Sequence, residues 1–91
     1  MSVSFARFIA VINAWADVSG RVLSIAGYEE EYVVKWANVS CEGIGKLVKD
    51  SFCEEGTGVH SIHADKLLRF MATEFERLKD VVTNPKGPPL P

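Results

Sequence analysis

The residues best suited to chemistry lie in one short stretch of the chain, FCEEGTGVHSIH, which runs from Phe52 to His63. It brings together a thiol, two imidazoles and two carboxylates. Zinc accepts a thiolate and two imidazoles as ligands, and here they would be Cys53, His60 and His63. Their spacing, C-x6-H-x2-H, matches no common zinc pattern, while the glycines between them favour a tight reversal of the chain. We therefore predict a turn with no bound metal or cofactor, and Cys53, His60 and His63 are the ligand candidates for a metal assay.

The same stretch contains the residue types of a nucleophile and its general base, Cys53 and His60. The sequence offers no identifiable third group to orient the histidine and no oxyanion donors beside it. We therefore predict that the protein is not an enzyme. One alternative is kept, a metal-dependent hydrolase that uses the glutamate, histidine and cysteine residues of the 52–63 loop.

The composition excludes several other classes of protein. The 91 residues allow one domain, and 47% of them are hydrophobic, which is rich for a soluble domain of this size. Ten basic and twelve acidic residues give a net charge of −2, and no stretch is basic enough to follow a phosphate backbone, so we predict no nucleic-acid partner. The cysteines form no disulfide framework and the N-terminus does not read as a signal peptide, which predicts a cytoplasmic protein. Arg7 and Asp17 interrupt the apolar N-terminal segment, so we predict no membrane association.

Three segments show the three- and four-residue spacing of apolar side chains that predicts amphipathic helices. They run about from residue 4 to 26, from 30 to 50 and from 61 to 82. Gly27 is predicted to end the first helix, because glycine tolerates the left-handed conformation there. No alternation with a period of two lasts long enough to predict a strand. The predicted fold class is all-α: an antiparallel three-helix bundle that dimerises through its N-terminal helix. Residues 1–84 form the single domain, and residues 85–91 form a disordered proline-rich tail.

The second and third predicted helices each have an inward-facing row. In the second, the row contains Trp36 and Ser40 and is widened by Cys41. Gly43 and Gly45 each cost about 1 kcal/mol relative to alanine in a helix interior, which predicts a close helix contact or a kink. In the third helix, the predicted core stripe consists of Leu67, Leu68, Met71, Phe75, Leu78 and Val82.

The first helix carries more apolar surface than its own chain can cover. From Val3 to Ala26, sixteen of twenty-four positions are apolar. Since each helix of a three-helix domain buries about one face, we predict that a partner subunit covers the remainder. Aromatic side chains dominate interface energetics. The predicted interface residues are Phe5, Phe8, Ile12, Trp15, Tyr32 and Trp36.

The function that fits these features is a small, non-catalytic protein-interaction or regulatory module. It would act through a helical surface, as a homo-oligomer, with a protein partner. A second alternative is an inhibitor or antitoxin-like protein from a mobile element, because small, acidic, helical and motif-free is a common profile there. That alternative predicts a tight partner and no activity of the chain alone.

Overall fold

The computed structural model describes residues 1–52 and 61–84, and within these ranges the chain forms three helices and two short strands. In chain order the elements are β1 (Ser2–Ser4), α1 (Phe5–Ile25), α2 (Glu30–Phe52), β2 (Ser61–His63) and α3 (Ala64–Thr83). The mainly helical class predicted from the sequence is confirmed. The two strands were not predicted, because three residues are too few for an alternating pattern to be recognised.

The two strands bring the beginnings of α1 and α3 together. They pair antiparallel, with Val3 opposite Ile62, and the backbone N–H of Ala64 donates to the carbonyl of Met1 at 2.9 Å. Each strand leads directly into a helix, so the pairing fixes where both helices start. The hydroxyl of Tyr28, which follows α1, donates to a carbonyl near the end of α3 at 2.7 Å. Contacts at both ends show that α1 and α3 run side by side in the same direction.

A tight turn at Gly27 reverses the chain between α1 and α2. The φ angle of Gly27 is 98°, in the left-handed region that favours glycine. The N–H of Gly27 donates to the carbonyl of Ser24 at 3.1 Å, and that of Tyr28 donates to the carbonyl of Leu23 at 3.0 Å. These bonds satisfy carbonyls that the end of a helix leaves without partners. The predicted stop at Gly27 is confirmed.

The buried side chains form two clusters along the helices. The cluster nearest the strands is wholly apolar and consists of Phe8, Ile12, Phe52, Ile62 and Leu67. The second cluster consists of Trp15, Leu23, Trp36, Leu78 and Val81. It differs from the first because each indole carries an N–H that needs an acceptor when buried. The polar contacts of the protein interior therefore gather around the second cluster.

The predicted core stripe of α3 is wrong for half of its members. Leu67 and Leu78 are buried, but Leu68, Phe75 and Val82 are exposed. The predicted stripe merged two neighbouring rows of the helix into one. The buried row of α3 consists of Leu67, Glu74, Leu78 and Val81, with Met71 half-buried between them. A glutamate thus occupies a core position that the predicted stripe did not include.

The two glycines of α2 have different surroundings. A Cβ atom on Gly43 would lie 3.2 Å from Cε1 of Phe70 in α3, closer than an ordinary contact. A Cβ atom on Gly45 would meet nothing within 4 Å among the described residues. Of the two predicted reasons for these glycines, close approach of another helix therefore applies to Gly43.

Candidate functional site

The predicted metal candidates are only partly within the described residues. Cys53 and His60 lie outside the described ranges. His63 ends β2 and caps α3, where its Nδ1 accepts the N–H of Asp65 at 3.3 Å. Cys41 is exposed and does not belong to the inward row of α2 in which it was predicted. Among the described residues, no group of three or more His, Cys, Asp or Glu side chains could hold a metal ion.

Most of the predicted interface residues are covered by the chain itself. Four of the six are buried: Phe8, Ile12, Trp15 and Trp36. They occupy the sides of α1 and α2 that face other helices, so a partner cannot contact them without rearranging the core. Of the other two, Phe5 is 41% exposed, and Tyr32 is half-buried with its ring centroid 4.6 Å from that of Tyr28. Any interface must be built mainly from other side chains.

A buried carboxylate, Glu74, is the centre of a polar network that links all three helices. Its side chain lies in the core, and the residue is only 5% exposed. Oε1 accepts a hydrogen bond from Nε1 of Trp15 in α1 at 3.1 Å and one from Oγ of Ser40 in α2 at 2.6 Å. Oε2 accepts from Nε of Arg77, one turn further along α3, at 3.2 Å. We call Trp15, Ser40, Glu74 and Arg77 the Glu74 network.

Arg77 neutralises the buried carboxylate and joins it to the second tryptophan. Its Nη2 donates to Oε1 of Glu74 at 3.2 Å and to Oγ of Ser40. The guanidinium lies over the ring of Trp36, with Cζ 3.6 Å from the ring centroid, a cation–π geometry. Nε1 of Trp36 in turn donates to Oγ of Ser19 in α1 at 3.3 Å. Both indole N–H groups of the second cluster are therefore satisfied inside the protein.

The electrostatics of Glu74 indicate a structural role. Burial raises the pKa of the Glu74 carboxyl, but hydrogen bonds from Arg77, Ser40 and Trp15 and the charge of Arg77 outweigh burial and lower the pKa below its ordinary value. The group is therefore an ionised acceptor at neutral pH. A general acid or base requires a pKa near the working pH, which is the opposite shift for a carboxyl. The arrangement can fix the relative positions of three helices, and it does not poise a proton for transfer.

A second feature is an apolar surface on the outside of α1 and α3. In the described part of the chain, six of the nine exposed large hydrophobic side chains fall into two rows. The row on α1 consists of Val11, Val18 and Ile25, and the row on α3 consists of Leu68, Phe75 and Val82. Within each row the residues are seven positions apart, so they lie on one side of their helix. We call these six residues the α1/α3 face.

The two rows lie near each other where α1 packs against α3. The ring centroid of Phe75 lies 6.3 Å from that of Trp15, whose indole bonds to Glu74 beneath it. Val11 and Val18 are four residues before and three residues after Trp15, so they share its side of α1. Trp15 therefore belongs to the Glu74 network and also contacts Phe75 of the α1/α3 face.

Within the described residues, α1 also has the length and apolar composition of a membrane span. Core helices of soluble proteins pass the same test. Five residues of α1 are buried against the rest of the chain: Phe8, Ile12, Trp15, Ser19 and Leu23. This finding does not decide where the protein resides, but it makes a lipid surface one of the outcomes that an experiment on the α1/α3 face must separate.

The chain matches no known protein-family profile, and neither characterised proteins nor solved structures show significant similarity to it. Its function must therefore be argued from its own residues.

Proposed function

We propose that the chain is an antiparallel three-helix bundle that serves as a non-catalytic protein-interaction or regulatory module, and that it binds a protein partner through the α1/α3 face. The observation that carries the proposal is the pair of matched apolar rows. Soluble monomers rarely expose contiguous apolar surface of this kind unless it is used for binding. A homo-oligomer, predicted from the sequence, is one form that this binding can take.

The energetics of the face suit binding. Each exposed row residue retains part of its surface in water, and covering that part would gain about 1 kcal/mol per side chain. Six such gains, together with those from the apolar surface that a partner buries against them, can offset the free energy that association costs in lost freedom of motion. Phe75 lies at the middle of its row, beside Trp15. Aromatic side chains, phenylalanine among them, are enriched at the cores of protein interfaces.

The Glu74 network supports the face from beneath. Trp15 is fixed by its bond to Glu74 and contacts the ring of Phe75. Ser40 of α2 donates a hydrogen bond to the same carboxylate, and Arg77 pairs with it from the next turn of α3. Because this network fixes how α1 and α3 lie against each other, the two rows keep their relative positions before a partner arrives. A surface that is ordered in advance loses less entropy on binding.

The proposal can be tested by site-specific photocrosslinking in the source cell. A benzophenone amino acid replaces Phe75 in one variant and Val34 in another. Val34 is a matched control because it is an exposed apolar residue on α2, outside the face. We expect irradiation to give an adduct of defined mass from position 75 and none from position 34. Equal labelling at both positions, or no adduct at either, would contradict the proposal.

A further inference from the structure

We infer that the partner on the α1/α3 face is a second copy of this chain. The inference rests on the proposed function, because it names the partner of the same surface. Three observations carry it: the size of the face, the alternation of its two rows, and the charges along its edges.

The face has the size of one dimer interface. A helix of about 20 residues is about 30 Å long, and two adjacent helices are about 20 Å across, so the flat footprint is about 600 Å². A standard protein interface buries about 800 Å² on each partner, measured over the uneven molecular surface. The face therefore offers about the area that a stable dimer of this small chain requires.

The two rows are spaced so that copies of the face fit each other. Trp15 and Glu74, 59 positions apart, are hydrogen-bonded, so a residue of α1 lies level with the residue 59 positions later in α3. Along the common direction the order is Leu68, Val11, Phe75, Val18, Val82, Ile25. Along the helix axis, the separation between successive side chains in this order alternates between two residues, about 3 Å, and five residues, about 7.5 Å. A second copy presents the same alternation, so the side chains of each copy can enter the gaps of the other, as in knobs-into-holes packing with a seven-residue repeat.

The charges beside the rows fit a protein copy better than a lipid surface. By helical position, Arg7 and Arg21 lie along the outer edge of α1, and Asp65 and Lys79 lie along the outer edge of α3. A helix that binds anionic lipid carries clustered basic residues, whereas these edges carry both signs. If α1 of one copy lies on α3 of the other, Arg7 comes level with the partner's Asp65. Lys79 then comes level with Arg21, a charge of the same sign, which Asp17 at 3.3 Å from Arg21 compensates.

The test is the solution mass of the purified full chain, measured by analytical ultracentrifugation over a concentration series. We expect a dimer of two 10.0 kDa chains. Phe75→Glu should raise the dissociation constant at least about 30-fold, because it places charges at the centre of the interface. Leu68→Glu, on the same row, should act in the same direction, and Val34→Glu should leave the dissociation constant within about threefold. Circular dichroism of each variant checks that the helices are retained.

Three results would overturn the inference. The first is a wild-type chain that remains a monomer at about 100 μM, a concentration far above the dissociation constant of a stable dimer. The second is a dimer that Phe75→Glu and Leu68→Glu do not weaken. The third is a monomer that floats with phosphatidylcholine or phosphatidylserine vesicles and loses this binding with Phe75→Glu, which would assign the face to lipid.

A monomer in vitro whose position 75 still crosslinks to a different protein in cells would end this inference alone. A monomer without any adduct at position 75 would end the proposed function as well.

Discussion

Glu74 and Phe75 are consecutive residues of α3, yet the carboxylate is inside the protein and the aromatic ring is outside. Glu74 is 5% exposed and Phe75 is 62% exposed. Trp15 of α1 contacts both, because its indole N–H bonds to Glu74 while its ring lies beside Phe75. At these two consecutive positions the polar side chain is buried and the apolar one is exposed, which is the reverse of the usual distribution.

The two regions differ in how far the chain itself provides contacts for their side chains. In the Glu74 network, Trp15, Ser40 and Arg77 supply the carboxylate with hydrogen bonds from all three helices. Among the described residues, Nη1 of Arg77 is the one buried side-chain nitrogen or oxygen without a partner. Buried ionic groups add little net stability compared with apolar residues, but they are costly to break and can specify one arrangement of helices. The α1/α3 face is open, because its side chains have surface that the described chain does not cover. The inner region joins three helices through one carboxylate, and the outer region is apolar surface that remains in water.

The largest expected effect is from breaking the inner region. Glu74→Gln removes the charge that compensates Arg77, whose side chain is only 16% exposed. An uncompensated buried charge costs about 3 to 5 kcal/mol, so the free energy of unfolding should fall by that amount in urea titrations at pH 7. Glu76→Gln is the matched control, because Glu76 is an exposed carboxylate of the same helix and should change stability by less than about 0.5 kcal/mol. If both variants lost a similar amount of unfolding free energy, Glu74 would contribute no more to stability than an exposed carboxylate does.

The pH dependence of the same variant sharpens this assignment. The pKa of Glu74 is lower in the folded protein than its ordinary value, so the unfolded chain takes up the proton first as the pH falls. The stabilisation from the carboxylate is therefore complete well above the unfolded pKa of about 4.3 and is lost as the pH falls through the folded value. We expect the difference in unfolding free energy between wild type and Glu74→Gln to be constant near neutral pH and to narrow in acid. A difference that widens in acid would mean that the folded-state pKa is raised.

The two glycines of α2 should give a smaller change in stability, and they differ in their surroundings: Gly43 faces Phe70 of α3, while Gly45 meets no neighbour among the described residues. Gly45→Ala should stabilise the protein by about 0.5 to 1 kcal/mol, because alanine favours the helix and its methyl group meets no neighbour among the described residues. Gly43→Ala should gain clearly less, because its methyl group would press on Phe70. Thermal unfolding of the two variants measures the difference. Equal gains would show that the contact between Gly43 and Phe70 places no demand on residue size.

The smallest expected effect concerns the outer region itself. Phe75→Gln should change the unfolding free energy of the monomeric chain by less than about 0.5 kcal/mol, since most of the ring is already in water. The measurement must be made at low protein concentration, where association does not contribute. A loss above about 2 kcal/mol, the size typical of a buried aromatic residue, would place Phe75 in the core and remove it from the face.

The helices could be predicted from the sequence because apolar spacing, caps and breakers all depend on nearby residues. The three predicted segments correspond to α1, α2 and α3 within a few residues at each end. Ser40 was correctly predicted to face inward. The pairing of β1 with β2 joins residues about 60 positions apart, and such a distant contact leaves no local pattern in so short a strand.

Glu74 was missed for a reason that the sequence could have revealed. Leu67, Met71, Leu78 and Val81 follow the alternating spacing of a core row, and position 74 is the one member of the row that is not apolar. Reading the glutamate as an interruption shifted the predicted stripe onto Leu68, Phe75 and Val82. The presence of Arg77 three residues later is a signal that a buried carboxylate at 74 has a partner within reach.

The apolar excess of α1 was a sound observation, but the residues chosen from it were mostly core residues. Selecting by aromatic size favoured Phe8 and Trp15, which fill the interior because they are large. The exposed excess includes the aliphatic residues Val11, Val18 and Ile25. Size alone cannot distinguish a core position from an interface position, and the orientation of the helix relative to its neighbours is required.

The position of Trp15 gives the protein an intrinsic optical reporter. The chain contains two tryptophans, and Trp36 is held beneath Arg77, away from the α1/α3 face. Trp15 lies against Phe75, so a molecule that binds over the Phe75 ring changes the polarity around Trp15, while the surroundings of Trp36 stay the same. The change in tryptophan emission should therefore come from Trp15 and report occupation of the surface, without a dye or a label.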